Sequence, residues 1–145
     1  MLAENGQTAA AYKLLLQDTC PSWLYAVKKG ATSIWETWDG VREDGTVHDS
    51  LNHYSYGAIS GWLISGVCGI QLSEGSLRIA PQPDRSLGYA KAVWDSPAGR
   101  IESAWRYEEA KLILDVALPV PALIELPNGE SYEVSEGDHH YEVLL

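Results

Sequence analysis

Phenylalanine is absent from the 145 residues, methionine occurs once and cysteine twice. Cys20 and Cys68 are too few for a disulfide framework, and neither stands in a CxxC pair or a Cys/His ligand spacing, so both are expected as reduced, buried thiols. Bases are scarce: ten Lys and Arg face twenty Asp and Glu, a net charge of −10. That balance argues against nucleic acid or an anionic membrane surface as a partner. Long apolar runs are missing too. The most apolar stretch, Ala58–Ile70, falls short of the roughly 18 residues a membrane span needs, and Gly61, Gly66 and Gly69 interrupt it. Met1-Leu2-Ala3-Glu4-Asn5-Gly6 has no positive region leading into an apolar run, so no signal peptide is expected, and the compartment stays open. There is no P-loop, GxGxxG or Asn-x-Ser/Thr acceptor, and no cofactor is implied.

What is present is a folding composition: 46% hydrophobic residues, with 6 Trp and 8 Tyr. Such a chain has the apolar surface that disordered segments lack, and its length suits one ordinary domain or two small pieces of larger ones. The two halves differ. Residues 1–72 read as helical, hold four of the six tryptophans and carry four bases against seven acids. Residues 73–145 read as strands and carry six bases against thirteen acids. The fold class expected is therefore α+β by segments, helices followed by an antiparallel β-sandwich or barrel, joined at the short linker Ser73-Glu74-Gly75-Ser76.

In the first half, Ala- and Leu-rich Thr8–Gln17 predicts one helix. Pro21–Lys29 predicts a second, with Pro21 in its first turn, Lys28 and Lys29 at its negative end and Gly30 closing it. Ile59, Trp62, Leu63, Gly66, Val67 and Ile70 recur at one helical face and predict a third. Gly57 and Gly61 in that stretch cost roughly 1 kcal/mol each in a helix interior, which suggests close backbone packing there. Between the second and third helices, Ala31–Asn52 has no periodic pattern, and loops of that length are uncommon and often functional.

In the second half, Ile101, Ser103, Trp105 and Tyr107 form one alternating face, and Leu112, Leu114, Val116 and Leu118 another. Further strands are expected near Leu77–Ala80, Leu87–Trp94, Ala122–Leu126 and Tyr141–Leu145. Ser96-Pro97-Ala98-Gly99 and Pro127-Asn128-Gly129 supply turns, the Asn-Gly pair being a strong hairpin signal.

The long loop holds Trp35-Glu36-Thr37-Trp38-Asp39-Gly40. A carboxylate between two indoles is unusual, because an apolar wall makes ionisation costly while offering a flat surface to the C–H face of a sugar ring. The plainer alternative is that Trp35 and Trp38 are core residues one turn apart with Glu36 a solvated neighbour. Composition alone leaves both open. Asp39, Glu43, Asp44 and Asp49 read as solvated loop charges rather than as an acid paired with Glu36. His139 and His140 are adjacent in a strand pattern, so their rings face opposite sides and cannot clamp one metal together. The acidic run from Glu125 to Glu142 reads as a solvated face, with Ca²⁺ as the alternative ligand. No metal site is assigned.

Three ordered blocks carry a resemblance. Pro21-Ser22-Trp23-Leu24-Tyr25 is followed by Gly30-Ala31-Thr32-Ser33-Ile34-Trp35-Glu36 with Trp38-Asp39-Gly40, then by Ser50-Leu51-Asn52-His53-Tyr54-Ser55-Tyr56-Gly57-Ala58. Together they resemble the end of the catalytic (α/α)6 barrel of bacterial α-L-rhamnosidases. Ile79-Ala80-Pro81-Gln82-Pro83 and Ser96-Pro97-Ala98-Gly99, followed by Ile101, Ser103 and Trp105, resemble that family's C-terminal β-sandwich. The resemblance implies an inverting glycoside hydrolase acting on terminal α-L-rhamnosyl bonds, a class with two carboxyl groups roughly 6.5–9.5 Å apart. It implies that Glu36 is the general base, that Trp35 and Trp38 line the rhamnose pocket and that His53 bonds a sugar hydroxyl. It also implies that residues 1–72 are the C-terminal part of the barrel and 73–145 the sandwich. The family's acidic motif for the general acid has no counterpart here; Thr37 and Ser33 are mild departures at the pocket edge. The expectations are therefore an isolated chain without activity, a rhamnosyl glycoside as substrate, an upstream barrel portion in cis or as a separate chain, and exposed helix faces that would drive association with it or as a homodimer. A non-catalytic carbohydrate-binding or accessory module, with Trp35 and Trp38 as a stacking platform, is the competing reading.

Overall fold

The computed structural model describes residues 2–144. The chain forms two compact units, Met1–Ser60 and Gly61–Leu145.

In the first unit, helix α1 runs over Thr8–Leu16 and buries Tyr12. Helix α2 spans Trp23–Lys28. Its cap is Ser22, whose hydroxyl accepts a hydrogen bond from the Tyr25 amide at 3.0 Å and leaves Pro21 outside the first turn where the sequence had suggested it. The Ser22 side chain meets an amide that helix geometry leaves without a partner, which is the stronger constraint. The helix closes through Gly30 in the left-handed region, as its position predicts. Residues 31–54 then run without helix or strand, folded back on themselves by a bridge between Val41 and Val47. The Tyr25 hydroxyl donates to the Val41 carbonyl at 2.9 Å, tying this loop to α2.

The expected third helix is a composite. A 3₁₀ turn at Ser55–Ala58 leads into α3 at Ile59–Trp62, and a π turn follows at Leu63–Val67. Ile70 does not close that helix; it opens the first strand, because Gly69 takes a left-handed conformation and turns the chain. A Cβ at Gly69 would lie 2.2 Å from the Pro81 nitrogen, so only glycine fits. The close packing expected at Gly57 and Gly61 is instead at Gly66 and Gly69: Gly61 faces open space, whereas Gly66 lies under the Trp62 indole.

The strands are β1 Ile70–Ser73, β2 Ser76–Ile79, β3 Tyr89–Ser96, β4 Gly99–Glu108, β5 Lys111–Leu118, β6 Ala122–Glu125, β7 Ser131–Val134 and β8 Gly137–Leu144. Among the described residues they form two four-stranded sheets, β1-β2-β6-β7 and β3-β4-β5-β8. All pairs are antiparallel except β2 with β6. The segment Ser73-Glu74-Gly75-Ser76 is a hairpin turn inside one sheet: Glu74 and Gly75 both have positive φ, the geometry of a tight turn matched to strand twist. The core is built by the alternating faces read from sequence, with Ile101, Trp105, Leu112, Leu114, Ile79 and Ile124 all buried. Two polar links fasten the π turn to this core. The Trp105 indole donates to the Val67 carbonyl at 2.7 Å, and the Ser103 hydroxyl to the Cys68 carbonyl at 2.7 Å. Cys68 is buried, which pushes its thiol up to about 11, but Cys20 is exposed, contrary to expectation, because it lies in the irregular turn before α2.

Candidate functional site

The loop between α2 and the 3₁₀ turn gathers three of the four candidate residues through its backbone. Ile34 accepts from the His53 amide at 2.7 Å, and the Glu36 amide donates to the Ser50 carbonyl at 2.9 Å. The two limbs of the loop, 34–36 and 50–53, therefore lie side by side. Trp35 is buried between them, its ring packed over Gly40, where a Cβ would come within 3.2 Å of it and 3.1 Å of Leu51.

Glu36 is exposed. Its Oε2 accepts from the Ser50 amide at 3.1 Å, so the carboxylate is oriented by backbone while remaining open to solvent. His53 is half-buried; its Nδ1 accepts from the Ser55 amide at 3.3 Å. A neutral imidazole that accepts at Nδ1 carries its proton on Nε2, which is then a donor for an incoming hydroxyl. His53 also stacks on Tyr54, which is 87% exposed.

Beside this lies an apolar cavity of about 300 Å³ lined by Trp23, Val27, Ile34, Trp35, Trp38 and Tyr56, among others. Trp38 stacks on Tyr56 with ring centroids 3.8 Å apart and meets Trp23 edge-on at 5.1 Å. The Trp23 indole donates to the Tyr56 carbonyl at 3.0 Å, which fixes the cluster. Thr37 adds to the same lining a buried hydroxyl that has no hydrogen-bond partner among the described residues. Trp35 and Trp38 thus belong to the cavity wall, whereas Glu36 is not among its lining residues. One face of Trp38 is already covered by Tyr56. The indoles flank Glu36 in sequence, but their rings turn to the cavity while its carboxylate turns to Ser50.

The other loop carboxylates are engaged. Lys29 pairs with Glu43 at 3.0 Å, and this hydrogen bond holds the Glu43 carboxyl below its ordinary value. Hydrogen bonds from Thr46 hold Asp44 low. Burial works against ionisation of Asp39, yet its contacts with His48 and Arg42 outweigh it and lower its pKa. Asp49 lies 2.8 Å from His48 Nδ1. In the second unit, His139 and His140 take separate partners, the Ser135 carbonyl and Asp115. Trp23, Tyr56 and Ser50 were visible only as members of the sequence blocks, without assigned roles. The indole–carbonyl bond of Trp23 and the amide–carboxylate bond of Ser50 depend on backbone positions that no residue pattern announces.

Comparison with known proteins covers both halves. Residues 1–67 match the model for the bacterial alpha-L-rhamnosidase 6 hairpin glycosidase domain, and 75–141 match that for the bacterial alpha-L-rhamnosidase C-terminal domain. An alpha-L-rhamnosidase of Formosa agariphila is 38% identical over 92% of this chain, and one of Streptomyces avermitilis 33% identical over 82%. The chain spans only 16% and 12% of their respective lengths. The crystal structure of an alpha-L-rhamnosidase from Aspergillus terreus superposes with a TM-score of 0.92 at 29% identity, covering 98% of this chain and 18% of that one. The Streptomyces avermitilis enzyme complexed with L-rhamnose superposes with a TM-score of 0.88 at 27% identity, covering 98% of this chain and 16% of that one.

Proposed function

Because this chain belongs to the bacterial α-L-rhamnosidase family, we propose that it supplies the base-bearing, C-terminal part of a glycoside hydrolase that cleaves terminal α-L-rhamnosyl bonds with inversion. In this reading the helical segment is the end of the barrel, and the two sheets, from β1 at Ile70 onward, are its accompanying sandwich. Glu36 is the general base: it takes a proton from the water that attacks the anomeric carbon on the face opposite the departing oxygen. His53 Nε2 donates to a sugar hydroxyl, and Trp35 and Trp38 form the apolar wall beside the reacting ring. The observation that carries the proposal is the Glu36 carboxylate itself, open to solvent yet oriented by the Ser50 amide.

An inverting mechanism needs a second carboxyl group across the sugar, protonated to assist the leaving oxygen. Among the described residues, Asp39, Glu43, Asp44 and Asp49 are each held in other contacts, so the acid is assigned to a barrel segment outside these 145 residues, either in cis or on another chain. The isolated chain is then inactive. The competing reading, a sugar-stacking module, is less favoured because Tyr56 occupies a face of Trp38 that such a platform would offer.

The test is a hybrid. The matching segment of the Streptomyces avermitilis enzyme is replaced by this chain, and turnover of an aryl α-L-rhamnoside is measured. The hybrid should hydrolyse the substrate while the chain alone does not. Activity of the chain alone, lost in Glu36→Gln, would overturn the assignment of the acid to an outside segment.

A further inference from the structure

Asp49 is a non-glycine residue held in the left-handed region, at φ 55°. A Cβ in that conformation crowds the backbone, a strain that Asp tolerates better than most residues because its short side chain can bond locally. The Asp49 side chain meets His48. Its Nδ1 lies 2.8 Å from Asp49 Oδ2, and its Nε2 lies 3.1 Å from Asp39 Oδ1, close enough for an ion pair though poorly aligned for a hydrogen bond. The His48 amide also donates to the Gly40 carbonyl at 3.0 Å. Among the described residues, Arg42 Nε also faces this group, 3.4 Å from the other Asp39 oxygen. One imidazole therefore bridges the Asp39 limb and the Asp49 limb of the loop. The residue that follows the strained Asp49 is Ser50, whose amide is the donor on Glu36.

We propose that His48, clamped between Asp39 and Asp49, is a positioning residue for Glu36. By holding Asp49 left-handed it aims the Ser50 N–H at the Glu36 carboxylate and so fixes the rotamer from which the carboxylate would accept a proton. The proposal rests on the reading of Glu36 as general base for its functional meaning, but the clamp itself is a property of this chain. His48 touches neither substrate nor reacting atoms; it acts through the backbone of residues 49 and 50.

The measurement is the pH-dependent shift of the Ser50 amide proton in the 145-residue chain, followed by ¹H–¹⁵N NMR. In the native chain Ser50 should show a titration component that disappears in Glu36→Gln, which identifies it as the Glu36 bond. In His48→Phe that component should fall by at least half, while amides of the second unit, such as those of Ile101 and Leu114, keep their positions. If the His48→Phe spectrum loses dispersion, the paired variants Asp39→Asn and Asp49→Asn remove the arms and keep the ring; together they should give the same loss. An undiminished Glu36-linked component in these variants would overturn the clamp. Should the clamp hold while Glu36→Gln leaves hybrid turnover intact, the general-base reading fails and the clamp stands.

Discussion

Glu36 and Ser50 are joined twice: the Glu36 amide donates to the Ser50 carbonyl at 2.9 Å, and the Ser50 amide donates to the Glu36 carboxylate at 3.1 Å. The first bond sets the two limbs of the loop in register; the second turns a flexible side chain into an oriented one. An exposed glutamate ordinarily samples many rotamers, and fixing one removes an ordering cost that would otherwise fall on the transition state. In the hybrid enzyme, Glu36→Gln should lower kcat by about 10²–10⁴, the usual range for loss of a general acid or base. The change in KM should be small, since the amide keeps the shape of the carboxylate. Steady-state kinetics on an aryl α-L-rhamnoside checks the split.

Trp38 is covered on one face by Tyr56 and met edge-on by Trp23. Titration of the isolated chain with L-rhamnose should therefore give no saturable change in tryptophan fluorescence. A saturable response without hydrolysis would favour the binding-module reading.

Trp105 ties the second unit together through its bond to the Val67 carbonyl. Trp105→Phe keeps a large ring but leaves that buried carbonyl without its donor, at a cost of about 1–3 kcal/mol. Trp105→Ala adds a cavity and should cost about 3–5 kcal/mol. Chemical denaturation of both variants should rank them in that order.

Gly69 and Gly61 should respond in opposite directions to alanine. At Gly69 the left-handed backbone and the Pro81 nitrogen 2.2 Å from a new Cβ leave no room, so Gly69→Ala should prevent the π turn from joining β1 and yield little folded protein. At Gly61 nothing among the described residues lies within 4 Å of a new Cβ, and the alanine should stabilise the helix by roughly 0.5–1 kcal/mol. Thermal melts separate the two.

Arg78 spans three strands, bonding Glu125 through Nε at 2.8 Å and Gln71 through a terminal nitrogen at 2.7 Å. The Arg78 hydrogen bond, acting against partial burial, holds the Glu125 carboxyl below its ordinary value. A carboxylate lowered in the folded state contributes stability above its unfolded pKa of about 4.3 and loses it as pH falls through the folded value. Arg78→Met should flatten the fall in melting temperature between pH 5 and pH 3 compared with the native chain. An unchanged acid limb would show that the pair contributes nothing measurable, as many exposed pairs do.

The strands with one buried face were legible because burial imposes a period of two: Ile101, Ser103 and Trp105 point inward in β4, as Leu112, Leu114 and Val116 do in β5. β7 was not, because most of Ser131–Val134 is exposed and no alternation is required of it. β1 was hidden for the opposite reason. Ile70 continues the helical spacing of Ile59, Trp62 and Val67, and only the conformation of Gly69 breaks it. The parallel pairing of β2 with β6 joins residues more than forty positions apart and leaves no local trace. At the site, the motif around Glu36 marked the loop. The division of Trp35 and Trp38 from the carboxylate, and the His48 contacts on either side, follow from where the two limbs cross, which depends on backbone bonds between residues 34–36 and 50–53.

The central claim is that Glu36 activates the attacking water. Its most direct test is the hybrid enzyme carrying Glu36→Ala, assayed on an aryl α-L-rhamnoside with and without azide. Azide needs no deprotonation and can enter the space the carboxylate leaves, so turnover lost in the variant should return with azide and yield the inverted β-rhamnosyl azide. Hydrolysis at the native rate in Glu36→Ala without azide would contradict the account.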